Sequence, residues 1–304
     1  GDEGAWVTDG GGGTAWDSIV YDTVNDQVLI GVGNGSPWNA DIRDPNSDGD
    51  NLFLSSILAV DADTGAYRWH YQTTPRDRWD YTATQQIVLA DLPLGEDGAS
   101  RRVVMQAPKN GFFYVLDAAN GELISATPFT NQNWTTGEFD DKGRPVLMEE
   151  AVDLGLYAVV PGPLGAHNWH PMAFNPDTGL VYIPVNEIPF FYDKTRNVEE
   201  SKSFWNIGYD AAAGWPVEYP AGTLDAVSGL DGGTLLAWDP VKAEPRWAVP
   251  FPLPLNGGVL STTAGLVFQG NNFGEFVAYD AATGERLWSH KLVGNAAAAP
   301  MTYE

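Results

Sequence analysis

The amino-acid sequence predicts an all-β chain, folded as a β-propeller of four-stranded blades. Three observations lead to this prediction. One hairpin phrase recurs four times, convincing helical periodicity is scarce, and Gly (34 residues) and Pro (21 residues) divide the 304 residues into short segments. A β-sandwich of unrelated hairpins is the alternative, but a sandwich seldom repeats one turn phrase four times.

The recurring phrase reads as a strand, a turn and a second strand. In each copy an alternating apolar stretch ends on Asp, a short turn follows with Gly in three of the four copies, and the second strand closes on Trp in three. The Asp can accept backbone N–H bonds within the turn, and Gly supplies a positive φ. The copies are ILAVDADTGAYRW (57–69), FYVLDAANGELIS (113–125), LLAWDPVKAEPRW (235–247) and FVAYDAATGERLW (276–288).

Further hairpins are expected around these copies. Residues 20–33 and 173–186 are looser hairpins with the same rhythm. The interval between Asp117 and Asp239 is more than twice each of the other intervals between the Asp residues of the phrase. This interval predicts one more unit, unrecognised in the sequence, between the second and third copies.

The composition narrows the classes of function. A net charge of −24, from 16 basic and 40 acidic residues, disfavours nucleic acid and anionic lipid as partners. The absence of Cys excludes thiol chemistry, Cys-ligated zinc and a CxxCH haem attachment within these residues. No apolar run approaches the ~18 residues that a membrane helix needs. The hydrophobic content of 43% is sufficient for a substantial core.

Longer stretches of the chain carry a more specific pattern than the repeat. They are GGGTAWDSIVYD (11–22), GVGNGSPWN (31–39), GDNLFLSSILAVDADTG (49–65), WHYQTTPRDRWDYTATQ (69–85), APKNGFFYVLDAANG (107–121), HNWHPMAFNPDTGLVYIP (167–184) and GGVLSTTAGLVFQGNNFGEFVAYDAATGERLW (257–288). Together they resemble the pyrroloquinoline-quinone (PQQ) alcohol dehydrogenases, a family of eight-bladed propellers. The resemblance covers nearly the whole chain and corresponds to about the C-terminal half of a family member.

The resemblance and the ends of the chain predict a fragment. The chain starts at Gly1 without Met or an apolar leader, and its last residues, 296–304, read as the opening of another strand. We expect residues 1–304 to form a single partial propeller domain of about five blades, counting partial ones, with N-terminal blades and closing C-terminal strands missing. Because an open propeller exposes strand edges, we expect this piece alone to be poorly soluble and inactive.

Two oxygen-bearing residues are implied as metal ligands. In RDRWDYTATQ (76–85), the resemblance implies that Asp80 is the base that removes the hydroxyl proton of an alcohol, beside a bound calcium ion. In GNGSPWN, it implies that Asn34 is a calcium ligand, with Asp80 also at the metal. From the pattern alone, Asp80 reads as a turn-capping Asp and Asn34 as a turn residue. The family's other main protein ligand, a glutamate, belongs to the part missing here.

Thr82 indicates which metal the site takes. In the lanthanide-using branch of the resembled family, an extra Asp stands two residues after the base, where this chain has Thr82. A trivalent ion requires more anionic oxygen ligands than Asn34 and Asp80 supply. Thr82 therefore points to calcium.

Five residues are implied in binding the PQQ cofactor. The resemblance makes Trp16 a flat floor under the planar quinone and lets Thr14 hydrogen-bond the cofactor from the same turn. It brings Lys109 to the quinone oxygens, where a cation stabilises the reduced form. Asn168 and Trp169 match residues that line the cofactor in relatives. From the pattern alone, Trp16 reads as one of many blade-packing Trp residues and Lys109 as a solvated turn lysine. Further aromatic candidates for the pocket wall, not assigned to a role, are Trp134, Phe190, Phe191 and Trp205.

Two other patterns are rejected as metal sites. DPNSDGDN (44–51) is similar to the start of an EF-hand loop, but its twelfth position is Ser55 instead of Glu and no helices flank it. His167 and His170 are three residues apart, so on a strand they would face opposite sides.

The resemblance implies a periplasmic bacterial quinoprotein that oxidises primary alcohols to aldehydes with PQQ and calcium. It would pass electrons to a cytochrome c-type acceptor without spanning the membrane itself, and a homodimer is left open. Two alternatives are a non-enzymatic propeller scaffold of outer-membrane assembly and a membrane-bound PQQ sugar or polyol dehydrogenase. A scaffold has no reason to keep the metal, base and cofactor residues together, which argues against it.

Overall fold

Antiparallel strands are the main regular structure of the residues that the computed structural model describes, which are 11–46, 49–153, 156–193, 207–210 and 232–303. The strands are β1 (Gly11–Gly12), β2 (Ile19–Asp22), β3 (Gln27–Gly31), β4 (Gly35–Ser36), β5 (Ser56–Asp61), β6 (Tyr67–Gln72), β7 (Val88–Leu92), β8 (Arg101–Gln106), β9 (Phe112–Asp117), β10 (Leu123–Pro128), β11 (Thr135–Phe139), β12 (Pro145–Leu147), β13 (Leu156–Val159), β14 (Ala173–Asn175), β15 (Leu180–Asn186), β16 (Phe190–Asp193), β17 (Gly233–Asp239), β18 (Glu244–Phe251), β19 (Val259–Ser261), β20 (Leu266–Gly270), β21 (Glu275–Asp280) and β22 (Arg286–Lys291).

Helical structure is confined to short segments. Within the described ranges these are α1 (Ala40–Arg43), α2 (Glu149–Val152) and a 3₁₀ turn (Glu96–Gly98). None of them is long and apolar enough to cross a membrane.

Within the described residues, four sheets of four strands each follow one another along the chain as blades. The first blade is ordered β2-β3-β5-β6, the second β7-β8-β9-β10, the third β14-β15-β17-β18 and the fourth β19-β20-β21-β22. All strand pairs within them are antiparallel. The predicted all-β propeller class is confirmed.

The recurring phrase forms the hairpin of the last two strands in every blade. In the fourth copy, Asp280 Oδ1 accepts the N–H groups of Ala282 and Thr283 at 3.0 and 2.9 Å, and Gly284 has a φ of 73°. The Asp and Gly of the phrase therefore act as their chemistry predicts. The looser hairpins at 20–33 and 173–186 are also present, as β2–β3 and β14–β15.

The interval between Asp117 and Asp239 differs from the prediction. The second and third copies of the phrase belong to successive blades, and the described residues between these blades form the two-stranded sheets β11–β12 and β13–β16. The prediction of a further repeat unit in this part of the described chain is wrong. The extra length is an excursion from the propeller, and it brings the buried aromatic strand β16 beside the core.

The end of the chain also differs from the prediction. Residues 296–303 form no strand, and residue 304 lies outside the described residues. A strand is defined by pairing with a neighbour, and the described residues offer these residues no such partner.

The core lies between the faces of successive blades, which explains why central strands are apolar without alternation. In β9, Phe112 and Tyr114 face the cluster shared with the first blade. Phe113 and Val115, the alternate residues, face the cluster shared with the third blade.

The Trp and the Gly of the phrase pack against each other across blades. Gly121 has a φ of 73°, and a Cβ atom at this position would lie 2.3 Å from the ring of Trp69 in the preceding blade. Gly284 repeats the arrangement with Trp247, at 2.6 Å. The turn glycine is therefore required for its backbone conformation and for the close approach of the ring.

The two departures from the phrase fall at one interface. The second copy has Ser125 where the others have Trp, and the third copy, in the next blade, has Ala243 where the others have Gly. Ala243 has a φ of 55°, and it packs against the hydrophobic cluster shared by the second and third blades, as Ile124 of the second copy also does. Without an indole ring on the preceding blade, the turn accommodates a Cβ atom.

We expect Gly121→Ala to destabilise the protein more than Gly179→Ala. Both glycines have φ near 70° (73° and 71°), so both variants lose ~1–2 kcal/mol through the left-handed backbone. Only Gly121→Ala also collides with an indole ring, which adds ~1–3 kcal/mol, because nothing lies within 4 Å of a Cβ atom at Gly179. Urea unfolding of both variants checks this, and equal losses of unfolding free energy would contradict the packing argument.

Candidate functional site

Asp80 lies in the connection between the first and second blades, flanked by two anchoring aromatics. Trp79 and Tyr81 are both 0% exposed, and their rings pack with Trp134 at centroid distances of 5.4 and 5.5 Å. Asp80 itself has a φ of 68°, a left-handed conformation that is uncommon for residues other than Gly. Both neighbouring side chains are buried, and the backbone at Asp80 is left-handed. The Asp80 carboxylate is therefore the side-chain group that this turn directs into the site.

The structure brings Asp80, Lys109 and Asn34 together. Lys109 Nζ donates a hydrogen bond to Asp80 Oδ2 at 2.8 Å, and their side chains are only 8% and 16% exposed. The Asn34 side chain is close enough to lower the pKa of the Asp80 carboxyl, and its Nδ2 donates to the carbonyl oxygen of Gly35 at 3.0 Å. Asn34 follows β3 of the first blade and Lys109 lies between β8 and β9 of the second blade. The site is therefore built where two blades meet.

Burial and the neighbouring groups have opposite effects on the pKa of the Asp80 carboxyl. Burial raises the pKa of the Asp80 carboxyl, and the Lys109 ammonium group and the Asn34 side chain lower it, with the net result above the ordinary value. Such a carboxyl has a greater affinity for a proton than a solvated Asp. A cation close by favours its ionised form, as Lys109 does here.

Lys109 is held by its neighbours on both sides. Asn110 Nδ2 donates to the carbonyl oxygen of Thr73 at 3.1 Å, which ties the lysine turn to the start of the Asp80 connection. On the other side, a Cβ atom at Gly165 would lie 2.3 Å from Lys109 Cγ, and Ala166 N–H donates to the carbonyl oxygen of Lys109 at 2.9 Å. The lysine stem therefore lies in a tight backbone groove.

The other predicted cofactor residues lie on segments next to these three. Thr14 accepts the N–H of Gly33 through its carbonyl oxygen at 3.2 Å, beside Asn34. Asn168 is 9% exposed, and its amide serves its own loop by donating to Leu164 and accepting from Trp169 N–H. This loop follows Gly165, the residue that packs on Lys109. No direct contact joins Thr14 or Asn168 to Asp80 among the bonds of the described residues.

Two tryptophans of the predicted site present their rings to solvent. Trp16 is 45% exposed and Trp169 is 46% exposed, in contrast to the buried Trp79 and Trp134. Trp16 is therefore not a fully buried packing residue within the described chain. Such exposed aromatic surfaces are suited to cover a planar ligand.

The unassigned aromatics are packing residues where they are described. Trp134, Phe190 and Phe191 are at most 1% exposed, so they support the site from within. Trp205 lies outside the described residues.

Both patterns that were rejected as metal sites lie in loops where the structure describes them. Within the described ranges, no group of three or more His, Cys, Asp and Glu side chains is placed to hold a metal ion. His167 and His170 lie in a loop instead of on a strand, and the two ring nitrogens of His167 lie 2.6 Å from the carbonyl oxygen of Ala107 and 2.7 Å from that of His170. Part of the EF-hand-like stretch, residues 47–48, lies outside the described residues.

Thr82 is part of a buried hydroxyl and amide network. Its Oγ1 lies 3.0 Å from Thr84 Oγ1 and accepts from Gln85 Nε2 at 2.8 Å. The side chain is neutral and 2% exposed, so it adds no negative charge near Asp80.

Asp77 is a residue of the site that the sequence motifs do not reveal. It is 0% exposed, it precedes Asp80 by three residues, and burial raises its pKa to about 7. Between two arginines, an Asp reads as solvated. The one signal is its spacing, which equals that of a capping residue ahead of Gly in the turns DDKGR (140–144) and NNFGE (271–275).

Comparison with known proteins identifies the family. Residues 1–139 and 151–304 match the family described as "PQQ: Glucose/ethanol/alcohol dehydrogenase, beta-propeller domain". The chain belongs to this PQQ propeller family. It is 51% identical over 300 residues to quinohemoprotein alcohol dehydrogenase ADH IIB of Pseudomonas putida, covering 97% of this chain and 41% of that protein. This PQQ-family chain thus spans about two fifths of the length of the curated relatives it matches.

Solved structures agree with this assignment. The quinohemoprotein alcohol dehydrogenase ADHIIG from Pseudomonas putida HK5 superposes on the PQQ-family chain with a TM-score of 0.89 and 48% identity, covering 99% of this chain and 44% of the other. A europium-containing methanol dehydrogenase superposes with a TM-score of 0.79 and 31% identity, over 95% of this chain and 48% of the other.

We expect Lys109→Met to raise the pKa of the Asp80 carboxyl further in calcium-free protein, because the charge that opposes the burial cost is removed. Lys109→Arg, which keeps a positive charge, should stay closer to wild type. Infrared titration of the protonated carboxyl band checks this, with Asp80→Asn assigning the band. A band that titrates at the same pH in the Met variant and in wild type would contradict the importance of the ion pair.

Proposed function

We propose that the complete protein oxidises primary alcohols to aldehydes with PQQ and calcium. The observation that carries this proposal is the Asp80 carboxylate, withdrawn from water and joined by the Lys109 ammonium group and the Asn34 amide, in a propeller of the PQQ family. A buried carboxylate with a raised pKa is a suitable general base.

The residues present fit a calcium ion. The Asn34 amide oxygen and the Asp80 carboxylate are hard oxygen donors, which calcium prefers. They are fewer than the ~6–8 oxygens that calcium takes, so the cofactor, water and the rest of the complete protein, including the glutamate implied by the family, would supply the others. The neutral Thr82 supports calcium over a trivalent lanthanide ion.

The residues present also fit PQQ. Lys109 would contact the quinone oxygens, Trp16 would lie flat under the ring system, and Thr14, Asn168 and Trp169 would line its edges. When bound, the quinone would supply the two-electron acceptor for the alcohol, and calcium would supply a Lewis acid.

The chain's own residues would accept the hydroxyl proton and stabilise the negative charge of the carboxylate. A carboxylate oxygen of Asp80 takes the proton of the alcohol hydroxyl, and the raised pKa makes it a stronger base than a solvated Asp. Lys109 keeps the carboxylate ionised before the reaction. The buried rings of Trp79 and Tyr81 on either side exclude water from behind the carboxylate, which strengthens these interactions.

The wider setting is also proposed. Electrons would pass to a cytochrome c-type acceptor in the bacterial periplasm, since the curated relatives are quinohemoprotein alcohol dehydrogenases of bacteria. Residues 1–304 would belong to one propeller domain. The assembled Asn34, Asp80 and Lys109 cluster disfavours a scaffold, which has no use for it.

We expect Asp80→Asn to lower kcat for a primary alcohol by ~10³-fold, because an amide cannot accept the hydroxyl proton. The measurement is steady-state turnover of the complete protein with saturating PQQ and calcium. Asp280→Asn, at an exposed turn of the fourth blade, serves as the matched control and should keep wild-type turnover. Turnover by Asp80→Asn within tenfold of wild type would remove Asp80 from the role of base.

We expect PQQ binding to require calcium. Titration of the complete apoprotein with PQQ, followed by quinone absorbance, should give saturable binding with calcium and little with a chelator, because calcium held by Asn34 and Asp80 would supply positive charge for the oxygens of the cofactor. Lack of PQQ binding in both conditions would favour the scaffold alternative.

A further inference from the structure

The backbone on both sides of Asp80 is fixed by one buried side chain. Asp77 Oδ1 accepts the N–H of Trp79 and the N–H of Tyr81, each at 3.1 Å. These N–H groups belong to the residues immediately before and after Asp80. Asp77 is 0% exposed, so water does not compete for its oxygen.

Other buried groups hold the carbonyl oxygens of the same segment. Tyr192 Oη donates to the carbonyl oxygen of Trp79 at 2.7 Å, and Arg43 Nη2 donates to that of Asp77 at 2.7 Å. Ser55 Oγ donates to the carbonyl oxygen of Tyr81. Of these groups, Asp77 is the one whose side chain bonds the chain both before and after Asp80.

The same pair of side-chain bonds, to the N–H groups two and four residues further on, occurs twice elsewhere in the described chain, with Gly at the left-handed position. Asp140 Oδ1 accepts the N–H groups of residues 142 and 144, both at 2.9 Å, and Gly143 between them has a φ of 72°. Asn271 Oδ1 accepts those of residues 273 and 275, both at 3.0 Å, and Gly274 also has a φ of 72°.

Asp80 takes the place of that glycine. Its φ of 68° matches the two glycines, although a residue with a Cβ atom resists this conformation. Left-handed residues other than Gly persist where their surroundings over-determine them, and they cluster at functional sites.

We propose that Asp77 is a positioning residue, which holds Asp80 in the left-handed conformation that aims its carboxylate at Lys109 and Asn34. This inference rests on the proposed role of Asp80 as the base. Asp77 acts through the backbone and does not itself touch the substrate. Its required chemistry is a single acceptor oxygen, and Asn271 demonstrates that an amide oxygen can make both bonds.

The test compares Asp77→Ala, Asp77→Asn and Asp140→Ala in the complete protein with saturating PQQ and calcium. Asp77→Ala should lower kcat ~100-fold, the scale of a misplaced catalytic group, and change KM for the alcohol less than ~3-fold, because substrate binding is not its task. Asp77→Asn should recover most of this kcat. Asp140→Ala removes the same pair of bonds far along the chain and should keep wild-type kcat.

A second readout does not depend on activity. The crystal structure of Asp77→Ala should have Asp80 out of the left-handed region and its carboxylate more than ~4 Å from Lys109 Nζ, beyond ion-pair distance, whereas Asp77→Asn should keep both. If wild type fails to oxidise alcohols while these shifts occur, the proposed function fails and the positioning role stands.

Several outcomes would overturn the proposal. They are a folded Asp77→Ala protein with kcat within threefold of wild type, Asp77→Asn as impaired as Asp77→Ala, or an Asp80 conformation unchanged in the Ala structure. If Asp77→Ala does not fold, Asp77→Ser replaces it. The serine hydroxyl reaches one of the two amides, so its kcat should lie between those of wild type and Asp80→Asn, and a wild-type value would overturn the proposal.

Discussion

The buried contact between the Asp80 carboxylate and the Lys109 ammonium group is the interaction on which the site depends. Each charge is largely withdrawn from water and would be costly without the other. Their separation of 2.8 Å requires that the connection between the first two blades and the turn between β8 and β9 lie in a fixed relation. Asn34 contributes a neutral amide beside this pair.

The propeller supplies that fixed relation through packing between blades. Trp69 of the first blade lies against Gly121 of the second, and the strands between them bury Phe112 and Tyr114 in the shared core. Residues at the ends of these strands therefore have little freedom to separate. The excursion between the second and third blades adds Tyr192, which bonds the carbonyl oxygen of Trp79. Inserted strands thus stabilise the connection that carries Asp80, although they belong to no blade.

Local turn chemistry explains which parts of the fold could be predicted. The phrase hairpins were predictable because an Asp that caps a turn and a Gly at positive φ act within a few residues. The long interval between Asp117 and Asp239 predicts a further repeat unit, which is wrong, because spacing alone cannot distinguish an added blade from an insertion. The structure explains why Ser125 replaces Trp and Ala243 replaces Gly, because both residues lie at the interface between the second and third blades. The sequence does not reveal the role of Asp77, because the glycine that follows such a capping residue three positions later in the other two turns is replaced here by Asp80.

The sequence by itself determined the hairpins, the propeller class and the family motifs that contain Asn34, Asp80 and Lys109, because these are carried by short, ordered runs of residues. Only the tertiary structure decided that the three side chains meet, since they come from two blades and the connection between them, and their distances depend on how these blades pack. It also decided which tryptophans are buried and which are exposed. In addition, it decided that the buried Asp77 carboxylate supports the left-handed backbone at Asp80. Burial and backbone conformation are properties of the assembled neighbours, and no single stretch of the chain encodes them.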